Sequence, residues 1–165
     1  MTHQDGFGET LKFYADRHPD PGKRTALNVQ YTYSRSGRET VSVEMVQIQQ
    51  AGAPPDWGSK VIVQLTQGEL TAFCSVLFGL RPEMKGSYHG DAHNKGVAAY
   101  NNGQKGASIS VSEKGRQLHH MLQPDDRLDL GVFALRRLAE GWKVSPSDAI
   151  ALLRQSAWME RTSQQ

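Results

Sequence analysis

A chain of 165 residues with 19 Lys and Arg against 17 Asp and Glu, a formal charge of +2, is sized for one domain plus an appendage. It is too balanced to bind nucleic acid by bulk charge alone, so any basic footprint must be local. A single cysteine, Cys74, excludes an internal disulfide and, set in LTAFCSVLFGL, reads as a small core residue rather than a nucleophile.

The opening MTHQDGFGET has no signal-peptide pattern, and no apolar run nears the roughly 20 residues of a membrane span. The expectation is a soluble, cytoplasmic protein with no membrane contact. Residues 1–25 are polar and rich in turn formers, and read as an N-terminal arm in which LKFY (11–14) docks as a helix. From Ala26, ALNVQYTYSR and ETVSVEMVQIQ alternate apolar with polar residues, the period of half-buried strands, and Ser36-Gly37 turns the pair into a hairpin. AGAPPDWG (51–58) is a loop, because prolines and glycines break a ladder, and KVIVQL follows as a strand. Thr66 and Glu69 form a T-x-x-E capping box ahead of Leu70, Phe73, Cys74, Leu77 and Phe78 at helical spacing, predicting a helix over 67–79 that Arg81-Pro82 ends.

SYHGDAHNKG (87–96) reads as a polar loop. KGVAAYN, the dipeptide Asn102-Gly103 and QKGASISVS then give the strongest hairpin signal in the chain, and Lys114-Gly115 turns into QLHHML. Pro124-Asp125-Asp126 opens a helix with Leu128, Val132, Leu135 and Leu138 as its apolar stripe, and Ser145-Pro146 starts a last helix. Hairpin-linked strands alternating with helices predict an α+β fold with antiparallel sheets in a β-then-α, β-then-α order. The expected division is an arm (1–25), the α+β domain (26–142), and a C-terminal helix with a polar tail (143–165).

A two-residue turn at Asn102-Gly103 would put Tyr100 opposite Lys105 and Ala98 opposite Ala107. Ala98, Tyr100, Ala107, Ile109, Val111, Leu118, His120 and Leu122 then share an apolar face. Lys95, Val97, Ala99, Gln104, Ser108, Ser110, Ser112, Gln117 and His119 share a small, polar one, against which an extended polymer could lie; an ordinary solvated face is the alternative. Between residues 84 and 116 lie Lys85, Lys95, Lys105, Lys114 and Arg116 against Asp91 and Glu113, a local excess of cations suited to phosphate contacts. Single-strand binders add aromatic rings on which bases stack, and Tyr88, Tyr31, Tyr33 and Trp57 are the candidates, with His89 and His119 trimming the rim.

With Lys95, Gly96, Ala98 and Ala99 in a KG-x-A-A segment on a strand, the order of strands, capped helix, four short strands and striped helix resembles the Whirly-type fold. That fold is shared by plant single-stranded DNA-binding regulators and kinetoplastid guide-RNA-binding proteins. The resemblance covers about residues 26–142. It implies a nucleic-acid-binding sheet carrying a KGKAAL-like strand, and assembly into tetramers. Here Val97 stands where that motif has its second basic residue, so only Lys95 and its glycine and alanine neighbours carry over.

His89, Asp91 and His93 have the ligand chemistry of a metal site. In an extended segment, however, the two histidines stand about 13 Å apart at roughly 3.3 Å per residue, too far to share an ion without a curl at Gly90. Neither a nucleotide-binding fingerprint nor a nucleophile motif occurs, so no cofactor and no catalysis are expected. The leading expectation is a sequence-tolerant, non-enzymatic single-stranded DNA- or RNA-binding homo-oligomer, dimer or tetramer, with DNA favoured. Its assembly follows from the resemblance and from apolar surface on the last helix at Ile150, Leu152, Leu153 and Trp158. The alternatives are a protein-assembly subunit and a metal-dependent enzyme built on His89, Asp91 and His93.

Overall fold

A computed structural model describes residues 8–50 and 52–163; the first seven residues of the expected arm and the last two of the tail lie outside them. Thr10–Phe13 (β1), Thr25–Tyr33 (β2), Glu39–Gln47 (β3) and Val61–Gln64 (β4) form one antiparallel sheet in chain order. Gln67–Leu77 (α1) follows. Glu83–His89 (β5), Lys95–Asn101 (β6), Ala107–Glu113 (β7) and Arg116–Leu122 (β8) form a second antiparallel sheet in chain order, and Pro124–Trp142 (α2) and Pro146–Ser163 (α3) complete the chain. The class is α+β, with each four-stranded meander leading into helix.

Strict alternation builds the core. In the first sheet Leu27, Val29, Val41, Val43, Met45, Val61 and Val63 turn inward, and in the second Met84, Val97, Ala99, Ile109, Val111, Leu118 and Leu122 do so. These two faces and the buried sides of α1 and α2 form one cluster. Every residue lifted out of water there contributes about 25 cal/mol per Å² of apolar area. The capping box at Thr66 and Glu69 is present in full.

Three sequence expectations change. LKFY is not a helix: Leu11 and Phe13 alternate inward on β1, opposite Val29 and Leu27. Residues 87–89, read as the start of a polar loop, belong to β5 (Glu83–His89), which a bulge between Gly86 and His89 interrupts. The buried side of α2 is Leu130, Phe133, Ala134, Leu135, Arg137 and Leu138, whereas Leu128 and Val132 stay exposed. Arg137 is tolerated inside because its guanidinium donates to the carbonyls of Thr40 and Thr32 and to Glu140, leaving little of its donor capacity unmet.

The N-terminal segment is held by one buried carboxylate. Asp16 accepts hydrogen bonds from the backbone N–H of His18, Thr25 and Met121, while the Arg17 N–H donates to the Met121 carbonyl. The chain before β2 is thereby stitched to β8, the edge of the second sheet. Beside it the fully buried His120 places Nδ1 at 3.0 Å from the Thr25 hydroxyl, and its Nε2 has no partner. Burial lowers the pKa of His120, opposed by the neighbouring Asp16.

A histidine whose folded-state pKa is depressed stabilises the fold fully above its unfolded value near 6.5, and that contribution is lost as pH falls through and below this value. Thermal melts from pH 7.5 to 5.0 are therefore expected to show declining stability, with a shallower decline in His120→Gln; an unchanged slope in that variant would refute this assignment.

Candidate nucleic-acid interface

The pairing between β6 and β7 decides which side chains the second sheet offers to solvent. Asn102-Gly103 does not make a two-residue turn. The loop runs from Asn102 to Gly106, with a 3-10 turn at Gly103–Lys105, and Asn101 pairs with Ala107 and Tyr100 with Ser108. Gly106, at φ +103, is required there: a Cβ would fall 1.9 Å from the Leu122 carbonyl oxygen. Relative to the expected register β6 turns over, because a displacement of this parity exchanges the two faces of a strand. Lys95, Val97 and Ala99 go to the packed side, and Gly96, Ala98 and Tyr100 join the open one. The β7–β8 register is as expected, with Val111 opposite Leu118 and Ile109 opposite His120.

The outer face is thus three rows: Lys85, Ala98, Ser110 and His119, of which Ala98 and Ser110 are buried; Glu83, Tyr100, Ser108 and Met121; and Gly96, Ser112 and Gln117 beside Ser87. Glycine, alanine and serine keep it low, and Gly96 is held small, since a Cβ would meet the Ser112 hydroxyl at 2.9 Å. A shallow groove of about 310 Å³ runs across it, lined by Lys85, Ser87, Gly96, Ala98, Tyr100, Ser110, Ser112 and Gln117. Lys85 is exposed with Glu83 at 3.9 Å, and His119 is exposed. Lys105 and Lys114 project from the loops at either end.

The other basic candidates are spent on packing. Lys95 donates to the Ile62 carbonyl in the first sheet and pairs with Glu113 at 3.3 Å. Arg116 donates to the Ser59 carbonyl in the short turn before β4. His89 sits 2.8 Å from Glu69, which also caps the start of α1. Gly86 makes that approach possible, for a Cβ there would overlap the Glu69 carboxylate. These three side chains fasten one end of the second sheet to the first sheet and α1.

The aromatic candidates also divide. Tyr31 is a core residue: it is 5% exposed, its ring stacks on Phe133 at 4.2 Å, and its hydroxyl donates to the Phe133 carbonyl. Burial pushes its pKa up to about 12. Tyr33, on the same side of β2, lies against Arg137 at 4.8 Å, on the helix side. Trp57 packs against Lys12 of β1, its ring 5.6 Å from the ammonium. Tyr88 is 78% exposed. It stands at φ +62 in the β5 bulge, beside a cleft of about 670 Å³ whose lining includes Ser42, Gln64, Arg35 and His93. Tyr100, expected inside, lines the open groove.

His89, Asp91 and His93 do not converge. His89 is engaged by Glu69, Asp91 by Arg35 at 3.3 Å, and His93 contacts the Tyr88 carbonyl through Nδ1. Among the described residues no group of three or more His, Cys, Asp or Glu is placed to hold a metal ion. Cys74 is buried, and burial raises its thiol pKa well above the ordinary value, as expected of a core cysteine. Among the described residues no helix is long and apolar enough to cross a membrane.

No protein-family model matches the sequence, and no curated protein matches it. Solved structures do. The chain is similar to WHY3 from Arabidopsis thaliana with a TM-score of 0.59 at 13% identity, over 94% of this chain and 99% of that one. The structure of the plant transcriptional regulator PBF-2 superposes with a TM-score of 0.53 at 15% identity, over 82% and 92%. MRP1/MRP2 from a trypanosome gives 0.56 at 13% identity, over 81% and 93%. The chain has a Whirly-like fold.

Tyr88 provides a direct test of the bulge. A non-glycine residue in the left-handed region costs roughly 1 kcal/mol, partly offset by the greater freedom of glycine in the unfolded chain. Tyr88→Gly is expected to leave stability unchanged or raise it by up to about 1 kcal/mol in urea unfolding; a loss of more than that would show that the exposed ring supports the fold.

Proposed function

We propose that this protein is a non-enzymatic, largely sequence-tolerant single-stranded nucleic-acid-binding protein, with DNA as the favoured strand, and that it works as a homo-oligomer. The observation that carries the reading is the open face of the second sheet: low, polar, uncovered by the protein's own helices, and edged by Lys85, His119, Lys105 and Lys114. It is supported by the likeness in fold to the Whirly family, whose resemblance to this sequence implies a nucleic-acid-binding sheet. Backbone phosphates meet the cations at the edges, and unstacked bases lie on Tyr100 and Tyr88, since every base offers a π-face to an aromatic ring. Trp57 with Lys12 offers a further stacking place on the outer side of the first sheet. Lys95, Arg116 and His89 act by holding the sheet in place.

Assembly is supported by Leu152, Trp158 and Met159 on α3 and by Leu128 and Val132 on α2, all about half exposed or more. Leu153, expected among the exposed residues, is buried. Charge-paired Arg136 and Glu9 lie on the same outer side of α2 as Val132. Light scattering at micromolar concentration is expected to give a dimer or tetramer.

The reading is tested by fluorescence anisotropy with labelled oligo-dT at 50 and 200 mM salt. Single strands are expected to bind more tightly than a duplex of equal length, with affinity falling steeply as salt rises. Lys85→Ala is expected to lower the salt slope by about one, whereas Lys95→Met lowers the melting temperature and leaves the slope alone. Tyr88→Ala is expected to weaken binding at least about fivefold, the equivalent of roughly 1 kcal/mol of stacking. Absence of binding at 50 mM salt would overturn the proposal.

A further inference from the structure

At the β8 end of the open face lies a second recess, of about 270 Å³, lined by His18, Lys23, Gln47, Gln117, Leu118 and His119. Gln117 lines both this recess and the groove across the sheet, so the two adjoin at that side chain. The outer wall comes from the segment preceding β2. Three of its six lining side chains are cationic or basic, two are amides, and none is acidic.

We infer that this recess is a phosphate-binding subsite, taking a phosphate group of the strand as it leaves the platform; the inference rests on the proposed single-strand binding. The chemistry of each wall supports it. Asp20 donates its backbone N–H to Nδ1 of His18 at 3.0 Å. A ring nitrogen that accepts leaves the other to carry the proton, so His18 presents an Nε2–H donor while neutral. Its orientation is further set by the Asp16 carboxylate, which accepts from the His18 N–H, and by Arg24, which donates to the His18 carbonyl. Lys23 supplies a permanent charge from the 3-10 turn at Pro21–Lys23, and that turn is anchored by Gln47, which donates to the Gly22 carbonyl. His119, on the open face opposite Ser110, has its carbonyl held by the Thr25 hydroxyl and its ring free. Gln117 completes the set with an amide donor.

Neither nearby acid lines the recess: Asp16 is buried and accepts from three backbone N–H groups, and Asp20 caps the 3-10 turn by accepting from the Gly22 N–H.

The test compares wild type, Lys23→Gln and His119→Gln, all full chain, by anisotropy with labelled oligo-dT at matched ionic strength. Lys23 lies off the sheet, so it separates this subsite from the platform. Lys23→Gln is expected to weaken binding roughly fivefold at 0.1 M salt, the effect of one lost phosphate contact. His119→Gln is expected to weaken binding of the charged strand in the same direction. With oligo-dT carrying uncharged methylphosphonate links, wild type and Lys23→Gln should bind alike.

Comparing oligo-dT with and without a 5′-phosphate assigns the source: a Lys23 effect on both strands indicates a backbone phosphodiester, and an effect on the phosphorylated strand alone a terminal phosphate. If wild type binds but Lys23→Gln binds equally well on both strands, the subsite is refuted and the platform stands. If wild type does not bind at all, both readings fall. Melting curves for each variant exclude unfolding as the cause, and both substituted side chains extend into solvent.

Discussion

Every strand of the second sheet must commit one of its two faces to the core, and this constraint governs which charges the protein can offer. Met84, Val97, Ala99, Ile109, Val111 and Leu118 have to lie together against the first sheet and α1. Once they do, alternation assigns Lys85, Ser110 and His119 to the outside and Lys95 and Arg116 to the packed side. The apolar residues choose the pairing, and the basic residues follow. A strong local turn signal cannot outweigh several buried side chains, each worth on the order of 1–3 kcal/mol.

The same constraint explains how the inward cations are used. An ammonium or guanidinium at the packed end of a sheet must find acceptors, because an unpaired charge taken out of water is costly. Lys95 finds Glu113 and the Ile62 carbonyl, and Arg137, deeper in, two carbonyls and Glu140; Arg116, which stays exposed, adds a bond to the Ser59 carbonyl. These groups fix how the two sheets meet, so basic residues of one composition divide into those that hold the platform and those that face across it.

Much of the architecture was legible in the sequence because periodic segments carry their own evidence. The first hairpin, the capping box of α1, the Lys114-Gly115 turn and the proline-started last helix follow from local chemistry alone. Elsewhere the deciding partner is distant. Residues 83–89 contain too few apolar side chains to read as a strand, and become one only because β6 pairs with them. Leu11 and Phe13 do alternate, but over four residues the signal is too short to outweigh a helical reading. The second glycine in NGQKG was the available clue to the longer loop, since Gly106 is needed only if the turn reaches it. On α2, a search for aliphatic residues alone could not include Arg137 on the buried side. The recess lined by His18 and Lys23 was invisible in the sequence because bonds between residues far apart in the chain, from Asp16 and Arg17 to Met121, bring their segment to the edge of the second sheet.

The bulge in β5 and the Asp16–Met121 bond share one further consequence. An open sheet ends in two rows of unsatisfied amides, a template for adding further copies without limit. At one border of the second sheet the ladder is broken between Gly86 and His89, and at the other the Met121 N–H and carbonyl are already taken. A flat polar surface can therefore stay exposed on a crowded, concentrated protein without seeding fibrils along its margins.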